Sequence, residues 1–125
     1  MDVIPTLRYR DADAAIAFLT NALGFTEHAV YRDDATGAVV HAELRFGDGM
    51  VMLGSDRPEG AEVNARTGAS SVYCILDDVG ARYEQAVAGG ATVVRELRDE
   101  DYGGQGFTVQ DPEGNRWSFG SYRPA

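Results

Sequence analysis

The stretch Ile4-Pro5-Thr6-Leu7-Arg8-Tyr9-Arg10-Asp11 is a short apolar strand that breaks at an acidic residue. Ala12 to Leu23 behind it carries the apolar spacing of a helix, with Ala15, Phe18, Leu19, Ala22 and Leu23 on one face. Asp11 is placed to cap that helix and Gly24 to stop it. The same pattern returns 66 residues later: Asp11 maps onto Asp77, Gly24 onto Gly90 and Gly37 onto Gly103, and the turn at Asp48-Gly49 maps onto Gly114-Asn115. A unit from Ile4 to about Leu53 is therefore repeated from about Ser70 to Phe119, and the chain reads as a tandem pair of one small module.

Within the first module, Val3 to Tyr9 is followed by the helix and by a second strand from Phe25 to Arg32. Asp33 to Gly37 forms a polar turn. Val39 to Phe46 alternates, with Val40, Ala42, Leu44 and Phe46 on one side and His41, Glu43 and Arg45 on the other. Asp48-Gly49 returns the chain into Met50 to Leu53 as a hairpin. Residues 54–69 lack periodicity and form a connector. The second module has a strand from Val72 to Leu76, then a helix from Val79 to Ala88 with Val79, Tyr83, Ala86 and Val87 inward. Strands at Ala91 to Leu97, Phe107 to Gln110 and Arg116 to Tyr122 complete it. The expectation is one α+β domain over residues 1–125: module 1 at about 1–54, a connector at 55–69 and module 2 at about 70–125.

Composition narrows the function classes. All 11 basic residues are Arg, against 20 acidic residues, for a formal charge of −9. Without Lys there is neither Schiff-base chemistry nor a P-loop. The acidic balance opposes nucleic acid and anionic membrane and favours a cationic ligand. The single Cys74 sits in an apolar run, excludes an internal disulfide and suits a reducing compartment. No membrane-spanning apolar stretch or signal-peptide pattern is present, so a cytoplasmic location is expected. Gly103-Gly104-Gln105-Gly106 precedes a strand rather than a helix, so it is not a dinucleotide loop, and no Ser stands in a nucleophile elbow.

The two β-α-β-β-β units, the opening Ile4 to Tyr9, the helix end Leu23-Gly24-Phe25 and the closing Asp111-Pro112-Glu113-Gly114-Asn115-Arg116-Trp117 together resemble the vicinal oxygen chelate superfamily. That superfamily includes glyoxalase I, bleomycin-resistance proteins, fosfomycin-resistance enzymes and extradiol dioxygenases. The resemblance implies a cupped eight-stranded mixed sheet with the helices on the outside. It also implies a homodimer, since the family completes its cavities across a subunit contact. Metal enzymes of this superfamily hold their ion at four places, which fall here on Ile4, Met52, Ser71 (or Ser70) and Ser118. None of these supplies the imidazole, carboxylate or thiolate a divalent ion needs, so no metal and no cofactor are expected.

A two-residue turn at Asp48-Gly49 pairs Arg45 with Met52 and sends Met52, Arg45, Glu43 and His41 to the cup; a three-residue turn sends the trio to solvent. In module 2 the same parity places Ser71, Tyr73 and Ile75 inward on the first strand and Arg116, Ser118 and Gly120 inward on the last, and Trp117 and Phe119 outward beneath a helix. Tyr102 stands in a Gly-rich loop, either as a lid or hydrogen-bonded to backbone at the loop base. The candidate ligand-binding set is Arg8, His41, Glu43, Arg45, Met52, Ser71, Tyr73, Tyr102, Phe107, Arg116 and Ser118. The expected function is non-catalytic binding and sequestration of a small molecule, an antibiotic or a planar or cationic natural product. The alternatives are a glyoxalase-type lyase or isomerase, and a metal-free enzyme using His41 and Glu43 as acid and base.

Overall fold

The computed structural model describes residues 3–56, 70–101 and 103–124. Along the chain these form β1 (Thr6–Tyr9), α1 (Ala12–Asn21), β2 (Thr26–Arg32), β3 (Val39–Phe46), β4 (Gly49–Ser55), β5 (Ser71–Ile75), α2 (Val79–Ala88), β6 (Thr92–Asp99), β7 (Gln105–Gln110) and β8 (Arg116–Gly120). Both β-α-β-β-β modules are present. The eight strands divide into two hydrogen-bonded sheets of four, ordered β1-β4-β3-β2 and β5-β8-β7-β6. Each is mixed, because the helix crossover makes β1 parallel to β4 and β5 parallel to β8, while hairpins make the other pairs antiparallel.

Both helices begin at an Asp that satisfies an orphan amide: Asp11 Oδ1 accepts from Ala14 N, and Asp78 Oδ1 from Ala81 N, each at 3.0 Å. The cap in module 2 is thus Asp78, not the Asp77 expected from a constant 66-residue offset. The first strands and caps repeat at 67, as the matching pairs Thr6 with Met52 and Tyr73 with Ser118 also show. The offset returns to 66 by Gly24 and Gly90, both at positive φ (78° and 88°). Helix α1 ends two residues earlier than expected, yet Ala22 and Leu23 stay fully buried. Val87 in α2 was expected inward and is 47% exposed; the helix buries only Val79 and Ala86.

Each helix covers the face of its sheet that carries Leu7, Leu44 and Leu53, or Phe107, Trp117 and Phe119, and these residues form one continuous core. The two modules meet through those same faces. Phe25 packs edge-on against Trp117 at 5.4 Å, Phe46 lies 5.7 Å from Phe119, and Phe25 and Phe46 are 5.1 Å apart. Arg82 of α2 reaches across, donating through Nη1 to Leu23 O at 2.8 Å with its guanidinium 5.0 Å from the Phe46 ring centre.

The loop between β7 and β8 is a second clasp. Asp111 is buried and accepts from the Tyr9 hydroxyl (2.5 Å), Trp117 Nε1 (3.1 Å) and the amides of Glu113 and Asn115 (3.0 Å each). Glu113 accepts from Arg10 N and Asp11 N at 2.7 and 2.8 Å, meeting the exposed amides at the start of α1 from the other module. Burial first, and the Asp111 carboxylate second, push the Tyr9 phenol well above its usual range, which holds it as a hydrogen donor.

Candidate functional site: two polar sheet faces

The turn between β3 and β4 is Gly47-Asp48, since Phe46 pairs with Gly49 and Arg45 with Met50. Gly47 has φ 56°, a conformation that favours glycine in so tight a turn. Glu43 therefore faces Met52, two residues away from the expected partner Arg45. A shift of two preserves the side of the sheet, so His41, Glu43, Arg45 and Met52 do share one face, opposite the core. Thr6 and Arg8 of β1 and Ala29 and Tyr31 of β2 complete that face. Arg8 is buried beside Gly54, where a Cβ would collide with its Nη1 and with Val40 O.

Glu43 is the centre of this face. His41 Nε2 is 3.0 Å from Glu43 Oε2, and His28 Nε2 is 3.8 Å from Oε1. Arg45 Nε donates to His28 Nδ1 at 3.2 Å, so His28 carries its proton on Nε2, toward the carboxylate. Tyr31, 59% exposed, stacks on His41 with ring centres 6.0 Å apart. His28 escaped the sequence reading because a register shift between Glu27 and Ala29 carries it to Glu43. Alternation along a strand cannot announce such a bulge.

The second face belongs to module 2. Ser71 pairs with Arg116, and Tyr73 with Ser118, whose Oγ lies 2.8 Å from Thr108 Oγ1. The Tyr73 hydroxyl donates to Tyr122 O at 2.8 Å, lying over Gly120, where a Cβ would meet the ring. Beyond Thr108, Arg95 Nη2 binds Glu100 Oε2 at 2.7 Å, and Arg98 Nε lies 3.9 Å from Oε1. The Glu100 side chain is 3% exposed and packs over Gly106. Neither Arg95 nor Glu100 was among the expected site residues. Phe107 was, and it faces the core instead: it is 1% exposed, stacked on Phe119 at 5.1 Å and edge-on to Tyr83. Its register partner Phe119 already lay on that side. Tyr102 lies outside the described residues.

The residues expected to surround one cavity are thus split. His41, Glu43, Arg45 and Met52 lie on one sheet, Ser71, Tyr73, Arg116 and Ser118 on the other, and the two sheets meet through their opposite sides. Within one chain each polar face is open. A cavity of about 500 Å³ lies elsewhere, in the cleft between the modules beside β5, and among the described residues lining it Tyr73 is the expected site residue.

The superfamily's metal positions do not fit a divalent ion. Met52 and Ser118 stand on the outer faces as expected, with Thr6 and Tyr73 opposite them and Ile4 and Ser71 two residues before those. A thioether, an alkyl chain and two hydroxyls are poor donors for Zn, Mn or Mg. Among the described residues, no group of three or more His, Cys, Asp or Glu side chains is arranged to hold a metal ion.

A tandem β-α-β-β-β pair with an open polar face on each module defines the class of protein. Residues 4–119 match the model of the Glyoxalase/Bleomycin resistance protein/Dioxygenase superfamily, and the chain belongs to that superfamily. It is 33% identical over 122 residues to an uncharacterized protein of Mycobacterium bovis, covering 93% of this chain and 80% of that one. Among solved structures it resembles TioX from Micromonospora sp. ML1, with a TM-score of 0.82, 28% identity and coverage of 98% and 99% of the two chains. A bleomycin-binding protein complexed with bleomycin shares the fold at a TM-score of 0.68 and 22% identity, covering 98% and 99%.

Proposed function

We propose that this protein binds a small planar or cationic natural product and holds it chemically unchanged, as a drug-resistance protein would, in a cavity completed by two copies of the chain in the cytoplasm. The observation that carries this reading is the face of module 1. There an exposed Tyr31 stacks on His41 beside a half-buried carboxylate, Glu43. An aromatic surface backed by a carboxylate suits a flat ring bearing positive charge or N–H donors. The net charge of −9 attracts such a ligand. The fold shared with a bleomycin-binding protein supports the reading at the level of architecture.

The split geometry supports a homodimer. Each chain presents two open half-sites on opposite sides, and apposing the module 1 face of one copy with the module 2 face of another encloses a ligand between His41, Glu43 and Met52 and a partner copy's Tyr73, Arg116 and Ser118. No helix among the described residues is long and apolar enough to cross a membrane.

The test is calorimetric titration with bleomycin-type glycopeptides and polycyclic aromatic amines, followed by mass analysis of the recovered ligand. Tyr31→Ala, Tyr102→Ala and His41→Ala are each expected to weaken binding roughly tenfold, with the ligand recovered unchanged. The 3.0 Å approach of His41 to Glu43 favours one second reading, a metal-free acid/base enzyme. Ligand recovered as product, with turnover abolished by His41→Ala, would replace sequestration by that enzyme.

A further inference from the structure

The two ends of the inter-module contact are unequal. At one end the loop Asp111–Asn115 fills the space beside β1 with Asp111, Glu113 and Asn115. At the other end the 66-residue offset puts Gly47 where Glu113 stands and Gly49 where Asn115 stands. Neither glycine brings a side chain. The connection is also a residue shorter, with four residues between the paired Arg45 and Met50 against five between Gln110 and Arg116. The result is the cleft of about 500 Å³ beside β5. Its walls come from both modules: Phe25, Phe46 and Val51 from the first, Val72, Cys74 and Ile75 from the second.

We infer that this cleft is a second ligand site, separate from the His41–Glu43 face of module 1 and reaching round the edge strand β5 to Tyr73 and Ile75, for a flat apolar molecule carrying one acidic group. Its volume lies in the range of about 300–1,000 Å³ typical of sites for drug-sized ligands. The Phe25 and Phe46 rings are tilted 47° to each other, leaving aromatic surface on one wall. Water held against such walls is released with a gain when an apolar solute replaces it.

The acidic group is assigned by the rim. Arg123 lines the mouth, and its ion pair with Asp77 is long at 3.4 Å, with the two side chains 64% and 96% exposed. A pair so wetted contributes little, so a ligand acid exchanges with Asp77 at small cost. Asp48 stands on the same rim and disfavours a ligand with a second acidic group. Cys74 is a wall and not a nucleophile here: it lies 7% exposed in the core face of β5.

Anilinonaphthalene sulfonate and its neutral analogue phenylnaphthylamine are the probes, titrated by fluorescence with the near-UV dichroism of Trp117 as the check on folding. One sulfonate per chain is expected. Val72→Phe and Ile75→Phe narrow the cleft and should each weaken both probes at least tenfold. Arg123→Gln should weaken the sulfonate three- to tenfold and leave the neutral analogue within twofold. Arg32→Gln, on the exposed edge strand β2 and outside the cleft lining, should leave both probes within twofold. Should Val72→Phe lose the native dichroism, Ile75→Phe, at the other end of the strand, decides the matter. Undiminished binding in the folded Phe variants, or loss of probe binding in Arg32→Gln, would overturn the inference. Neither result depends on whether the His41–Glu43 face of module 1 sequesters a natural product.

Discussion

Asp111 shows how much one side chain carries in this molecule. Its two oxygens accept from Tyr9, Trp117 and two amides of its own loop, joining the modules through a buried charge. Asp111→Ala leaves a buried phenol and a buried indole N–H without acceptors and should cost about 3–5 kcal/mol, whereas Tyr9→Phe should cost about 1–3 kcal/mol; urea unfolding measures both. Cys74 makes a different prediction. Burial pushes its thiol from 9.0 up to about 12. Below pH 9 the thiol is protonated in both folded and unfolded chains and its contribution to stability is complete. Between pH 9 and 12 the unfolded chain releases the proton and the folded one keeps it, so stability falls as pH rises. The loss between pH 9 and 10.5 should be about 1–2 kcal/mol. Urea midpoints over that interval should fall more steeply in the parent protein than in Cys74→Ala. Tyr9, also raised, adds the same sign of effect in both proteins at higher pH.

At the scale of elements, the helices were legible and the turns less so. The α2 bounds Val79 to Ala88 and the β3 bounds Val39 to Phe46 follow from capping and alternation within a dozen residues, and both are found. The β3–β4 turn was misplaced by one residue, because Gly47-Asp48 and Asp48-Gly49 are equally good turn dipeptides and pairing alone chooses between them. The face of His41 survived that error through the period of two; the partner of Glu43 did not. The helix stop at Gly24 has a tertiary constraint as well: its φ is 78°, and a Cβ there would sit 2.7 Å from Arg82 Nη1. Gly24→Ala should therefore cost about 1–3 kcal/mol. In the double variant with Arg82→Ala the loss should be smaller than the sum of the single losses, as thermal or urea unfolding of the four proteins would show.

At the scale of the whole molecule, the split site predicts assembly. Light scattering at micromolar concentration should report twice the 13.5 kDa of the chain; a monomer would leave each sheet face an open half-site and remove the enclosing cavity. Raising salt from about 0.05 to 0.5 M should slow capture of a cationic ligand far more than it speeds release, since steering acts over a Debye length and contacts do not. Stopped-flow fluorescence separates the two rates.

The sequence by itself determined the duplicated β-α-β-β-β module, the superfamily, and the polar face of β3 with His41, Glu43 and Arg45. Each of these is a local or periodic property: a cap, an alternation, an offset. It also placed Ser71, Tyr73, Arg116 and Ser118 on one face of module 2 by the same parity. Only the tertiary structure decided that these two faces belong to opposite sides of one chain, that Phe107 is core, that His28 joins Glu43 and that a cleft opens beside β5. The physical reason is that these depend on which sheet faces bury each other and on where a ladder slips, and both are settled by contacts between residues distant in sequence, such as Tyr9 and Asp111, 102 positions apart. Periodicity tells each strand which side is apolar, but not what will cover it.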